Sequence, residues 1–213
     1  MDKLAIFDVD YTLTKRETAM EFMFFMMKKY PKFLLHFPKS VISALLYAIG
    51  IYKAGTAKEK FLGFIDGIEE ERMKKLAKEF YAKRLSKILY KDAIDTIRKL
   101  KSEGYRIILI SASAEFYLNE LYNIKEVDYV MGTRFEIKDG VHRRKIIGEN
   151  CKGEEKVKRL EEYTKKEGIE VDFKNSYMFS DSLSDLPLFK LVGHPYLINA
   201  RKKKDNIEVL NWK

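Results

Sequence analysis

Cysteine is nearly absent: Cys151 is the single one among 213 residues. A lone thiol excludes an internal disulfide and a cysteine-based zinc cluster. It fits a reducing compartment, so a cytoplasmic setting is expected. Long apolar runs are missing too. The most apolar stretch, SVISALLYAIGIY, lies between Lys39 and Lys53. It is too short to span a bilayer and predicts a buried helix. Asp2 runs at once into strand-like sequence, so no signal peptide is expected. Repeats are absent, and low complexity is confined to the basic RKKKD near the end. No nucleic-acid motif accompanies the net charge of +9. That charge favours anionic ligands or soluble lysine-rich faces, and no nucleic-acid partner is expected.

What is present is a globular composition, 46% hydrophobic and 34% charged. The length allows one core plus an insert. KLAIFD, residues 3–8, reads as a strand. From Glu17 to about Leu100 nearly everything reads helical, with TAMEFMFFMMKKY ended by Pro31. Further helices are predicted over 39–53, 56–67, 68–85 and 92–104, the last closed by Gly104. The pattern then changes. YRIILIS, VDYVMG, NSYMFSD and HPYLI read as strands, and residues 114–123, 153–167 and 184–190 as helices between them. TRFEIKDGVHRRKII alternates around Asp139-Gly140, a hairpin signal. Strands alternating with helices predict an α/β fold, a doubly wound parallel sheet. The helical block after the first strand is too long for a crossover and predicts an inserted all-helical cap. The expected core is 1–14 and 91–213, and the expected cap is 15–90.

In such sheets ligands bind beyond the carboxyl ends of the strands. Asp8 and Asp10, in FDVDYT, follow the first apolar run, and alternation puts them on one side. Alone, the pair is what a strand leaves when it ends in a solvated turn. FSDSLSD places Asp181 and Asp185 after another strand. Together these acids are the oxygen donors a hard cation such as Mg²⁺ needs, and costly neighbours without one. Ser111 follows IILI, where its hydroxyl and the next N–H, that of Ala112, suit a phosphate oxygen at a helix N-terminus. Ser113 competes with it for the helix cap. Lys156, at the start of a helix, is a candidate cation for a phosphoryl group. Lys158 is the alternative.

In order, DVDYT, Ser111, Lys156 and SDSLSD resemble the motifs of the haloacid dehalogenase superfamily. The helical insert directly after the first motif resembles the C1 cap of its phosphoserine-phosphatase-like branch. The resemblance covers the whole chain. It implies a Mg²⁺-dependent phosphatase acting on a small phosphorylated metabolite through an aspartyl-phosphate. Asp8 would be the nucleophile and Asp10 the general acid and base. Lys156, Ser111 and Ala112 would hold the phosphoryl oxygens. Asp8, Asp181, Asp185 and the carbonyl of Asp10 would serve the metal, and Thr12 the turn. A phosphotransferase passing the group to an alcohol shares this chemistry as far as the phosphoenzyme. A basic nucleic-acid-binding protein is the reading from another class.

Two departures bear on substrate. Glu17 stands where phosphoserine phosphatases carry a substrate-reading glutamate, but the stretch EKFLGFIDGIEEE has no arginine before Arg72 to read a carboxylate. Phosphoserine is therefore expected to be a poor substrate. Ala112 replaces the usual glycine, which a backbone contact tolerates. The methionines and phenylalanines from Met20 to Met27 carry more apolar surface than one helical stripe requires; they either bury the cap helices against one another or face the catalytic mouth and favour an apolar leaving group. With Lys28, Lys29, Lys32 and Lys39 beside them, a lipid-like phosphate or a membrane surface enters as a candidate partner.

Overall fold

The computed structural model describes residues 1–200 and 207–213. RKKKD, residues 201–205, lies outside the described residues. The strands are β1 (Leu4–Phe7), β2 (Arg106–Ala114), β3 (Tyr129–Thr133), β4 (Phe135–Lys138), β5 (Val141–Ile146), β6 (Tyr177–Ser180), β7 (His194–Ile198) and β8 (Glu208–Leu210). Six of them form a parallel sheet in the order β3-β2-β1-β6-β7-β8. All of LAIF in β1 is buried, as a strand covered on both faces requires. The chain winds outward from β1 through β2 to β3, then resumes on the other side at β6. That reversal beside β1 is where a doubly wound sheet opens a crevice.

Helices α1 (Thr18–Lys29), α2 (Phe37–Ala48), α3 (Ala54–Phe61) and α4 (Glu70–Lys83) fall between β1 and β2. After them come α5 (Lys91–Ser102), α6 (Glu115–Leu118), α7 (Glu154–Lys166) and α8 (Leu186–Phe189). One sheet face packs Phe7, Leu109 and Phe179 in a core with Phe22, Phe80 and Ile97 from α1, α4 and α5. The other packs Ile6, Ile108 and Met178 with Leu160 and Leu188 from α7 and α8. The fold class is therefore the α/β class expected. α1 stops at Tyr30, before Pro31, which cannot continue it.

Asp139 and Gly140 form the turn between β4 and β5 with φ of 54° and 73°. Tight hairpins need positive φ at both central residues. This hairpin leaves the main sheet and hydrogen-bonds to the helical block. Gly67 donates to the His142 carbonyl at 2.8 Å, and His142 donates to that of Ile68 at 2.8 Å. Glu70 donates to Gly140 O at 2.9 Å.

Several expectations need correction. Residues 40–52 are not a buried helix: α2 spans Phe37–Ala48 and buries only Ser40 and Ser43. The Ser40 and Ser43 hydroxyls meet α3. The third helix begins and ends early, at Ala54 and Phe61. β2 continues past Ser111 to Ala114, because Ala114 pairs with Thr133 after a register shift. Ser111 therefore does not sit at a helix N-terminus, and Ser113 caps none. β8 had no counterpart in the sequence reading.

Candidate active site

β1 and β6 are hydrogen-bonded neighbours, so their carboxyl ends bring the two acidic motifs together. The Asp8 N–H donates to Phe179 O at 2.9 Å, and the Asp181 N–H to Thr12 Oγ1 at 2.8 Å. Thr12 thus ties the turn after Asp8 to the start of the second motif. Tyr11, next to Asp10, has φ of 58°. A left-handed tyrosine is costly, and such strain gathers at functional loops.

Lys156 lies in the first turn of α7 yet is only 2% exposed. Its Nζ donates to Asp8 Oδ1 and to Asp185 Oδ2, both at 2.7 Å. Ser180 Oγ donates to the same Asp185 oxygen at 2.8 Å. Among the described residues, buried Asp185 Oδ1 has no hydrogen-bond partner. Burial works against the charge on Lys156, but Asp8 and Asp185 hold its pKa above the ordinary value. For Asp8, burial with Asp185 and Asp10 nearby pushes the pKa well up against the pull of Lys156. Asp181 is pushed up to about 6 by burial, then by Asp185 and Asp10. Lys158 is exposed and outside this group.

Asp10 is held by both oxygens. Oδ1 accepts from the Thr18 N–H at 2.6 Å. Oδ2 accepts from Ser113 Oγ at 2.6 Å and Ser111 Oγ at 3.3 Å. The two serines of β2 and the first residue of α1 thus aim one carboxylate. Ser111 Oγ also accepts from the Ser113 N–H at 3.0 Å.

Among the described residues, no three acid, histidine or cysteine side chains converge as a ready-made metal cluster. Mg²⁺ needs no such cluster, since it binds through one or two carboxylates and keeps waters. The raised pKa values of Asp8 and Asp181 and the unsatisfied Asp185 oxygen are the signature of acids short of positive charge. The donor set fits a hard divalent cation.

Beside Ala112 opens a cavity of ≈ 380 Å³. Ala19 and Met20 of α1, Ala44 and Tyr47 of α2, and Ala57 and Phe61 of α3 give it apolar walls. Glu17, Lys58, Asn150 and Lys152 supply its polar groups. The larger α1 side chains Phe22, Met23, Phe25 and Met26 are buried in the core instead of facing the mouth. Lys58 was missed in the sequence. Its ammonium donates to the Ala112 carbonyl. Burial pulls it down to about 8, against the pull of Asp10 and Glu17. Its signal was the spacing Ala54, Ala57, Lys58, Phe61, one helix face. Lys58 thus brings a cation of the helical block to the cavity wall.

Glu17 caps α1, accepting from the Met20 N–H at 2.9 Å. Burial, then Asp10, pushes it up to about 7 from an ordinary 4.5. The fold thus binds a proton that the unfolded chain releases. The resulting destabilisation builds from pH 4.5 to 7 and persists above. Glu17→Gln keeps the cap and removes that cost. It is expected to raise the Tm of metal-free protein at pH 8 and to leave it unchanged at pH 4, measured by calorimetry.

A family model of the haloacid dehalogenase-like hydrolases matches residues 5–190. The chain belongs to that family. Its relatives include proteins named as phosphoserine phosphatases. It is 28% identical over 126 residues to "Probable phosphatase Rv3661" of Mycobacterium tuberculosis, covering 59% of the chain and 43% of that relative. It is 28% identical over 144 residues to the phosphoserine phosphatase of Archaeoglobus fulgidus, covering 66% of the chain and 41% of that protein. The chain therefore spans less than half the length of either relative. A protein of unknown function from Bordetella pertussis has the same fold, with TM-score 0.88, 22% identity, and 99% and 98% of the two chains covered.

Proposed function

We propose that this hydrolase is a Mg²⁺-dependent phosphomonoesterase working through a phosphoenzyme, with residues 15–90 as the cap over a core of 1–14 and 91–213. The observation that carries the reading is the buried Lys156 clamped between Asp8 and Asp185 at 2.7 Å each, at the sheet's switch point. Two relatives named as phosphatases support it. A cytoplasmic setting suits its single buried thiol, Cys151.

When bound, Mg²⁺ would neutralise phosphoryl charge and orient the oxygens; Asp8, Asp181 and the Asp10 carbonyl would hold it, with Asp185 beside them. Lys156 fixes Asp8 through Oδ1, leaving Oδ2 to attack phosphorus. The new P–O bond to Asp8 forms as the bond to the leaving oxygen breaks. Asp10 gives its proton to that oxygen. It then takes a proton from water, whose oxygen attacks phosphorus and breaks the bond to Asp8, releasing phosphate. Ser111, the Ala112 N–H and Lys156 steady the phosphoryl oxygens. The test is release of phosphate from an aryl phosphate with Mg²⁺, abolished by a chelator and restored by the metal.

The alanine-lined cavity is the place for the leaving group. A series of alkyl phosphates should show kcat/KM rising about fourfold per methylene until the cavity is full, because each buried CH₂ contributes ~0.8 kcal/mol. A flat series would remove the cavity from substrate binding.

A further inference from the structure

Helix α2 is built inside out. Its buried residues are Ser40 and Ser43. Their hydroxyls donate to the Phe61 and Ala57 carbonyls of α3, each at 2.8 Å. Ile42, Leu45 and Ile49 are 54%, 60% and 68% exposed. Ile42 and Leu45 share one face of α2 by their spacing of three, and Ile49 is the residue that caps its end. Leu35 before the helix and Ile51 after it extend the patch at 80% and 63% exposure. A helix folded for water alone does the reverse, with serines outside and aliphatics inside. A run of large aliphatic side chains left exposed along one segment marks a docking face.

Charge identifies what docks. No acidic residue occurs between Glu21 and Glu59. Lys28, Lys32, Lys39 and Lys53 are exposed in that stretch. Lysines flanking an apolar face complement an anionic lipid surface, with ammonium groups at the phosphates and aliphatics below. A second copy of the same face would instead set lysines against lysines. No helix of the described residues is long and apolar enough to cross a membrane, so α2 would lie in the interface plane. Tyr47, 41% exposed, sits on this helix at the cavity wall, an amphipathic ring suited to the headgroup level.

We propose that α2 and the segments flanking it dock this hydrolase onto an anionic membrane surface, with Ile42, Leu45 and Ile49 entering the acyl boundary. This stands apart from the phosphatase reading, since it concerns binding of the whole protein to lipid without substrate or metal.

The test is co-sedimentation with vesicles of phosphatidylcholine and of an equal phosphatidylcholine and phosphatidylglycerol mixture. The wild type is expected to pellet with the mixed vesicles and to weaken as salt rises. Ile42→Ser/Leu45→Ser/Ile49→Ser keeps every charge and changes only exposed side chains. It should lose at least about tenfold in partitioning while keeping its Tm and its turnover of a soluble aryl phosphate. Lys32→Glu/Lys39→Glu should lose binding to mixed vesicles as well. Absence of wild-type binding, or equal binding by the triple serine variant, would overturn the proposal; the latter would mean that net charge alone attracts the protein. Light scattering supplies the remaining check. A wild-type dimer that the serine variant converts to monomer would make the patch a self-interface and also overturn it.

Discussion

Asp8→Asn is expected to lower turnover of an aryl phosphate by on the order of 10³-fold or more, as for other residues that act as a unit. Asparagine has nearly the shape of aspartate and can still accept from Lys156, so the clamp of Lys156 on residues 8 and 185 survives. What disappears is the anionic oxygen that attacks phosphorus in the proposed mechanism. Removing it also relieves the crowding of buried acids that raises the Asp8 pKa. The metal-free variant should therefore be at least as stable as the wild type at neutral pH. Activity and stability moving apart separates loss of the nucleophile from damage to the fold. Steady-state assays with saturating Mg²⁺, alongside thermal melts in chelator, provide both readings. Undiminished turnover in Asp8→Asn would sink the assignment of Asp8.

The sequence made some of this legible and hid the rest for physical reasons. LAIF followed by two acids reads as a strand end because a doubly covered strand must be continuously apolar. Asp139-Gly140 announces a hairpin through its φ requirement. The docking of that hairpin on the helical block could not be read, since backbone hydrogen bonds such as Gly67 to His142 depend on no particular side chain. Ser111-Ala112-Ser113 carries no strong strand signal, so the extension of β2 through it stayed hidden. The pairing with β3 creates it. Apolar content predicted burial for α2, because a sequence records how greasy a helix is and not which face has a partner. Lys58 was not singled out among the other lysines of the sequence. Only the fold turns it inward beside Glu17, where burial lowers its pKa to about 8.

Asp10→Asn should produce a different failure from Asp8→Asn. In the proposed mechanism Asp10 moves a proton twice, to the leaving oxygen and then from water. Asparagine can do neither. General acid–base groups contribute about 10²–10⁴-fold, so turnover should fall within that range. The two half-reactions need not fall equally. An aryl phosphate leaves as a stabilised phenolate and needs little protonation, so attack by Asp8 still proceeds. Water still needs a base, so the second half-reaction stalls and phosphate remains on Asp8. Acid quench after mixing with labelled aryl phosphate should therefore trap close to one label per protein in Asp10→Asn and little in the wild type. With an alkyl phosphate, whose leaving group does need the proton, the first step slows as well and the label should not build up. The contacts around Asp10 set a control. Ser113 Oγ and the Thr18 N–H both donate to its carboxylate at 2.6 Å. An asparagine oxygen can keep one of these, and its NH₂ would face the other donor. Ser113→Ala removes the hydroxyl donor and leaves the carboxylate in place. It should slow both half-reactions mildly without accumulation of label. Label trapped in Asp10→Asn but absent in Ser113→Ala would tie the stall to proton transfer and not to the aim of the side chain. If Asp10→Asn traps no label with the aryl phosphate, the covalent route through Asp8 is wrong.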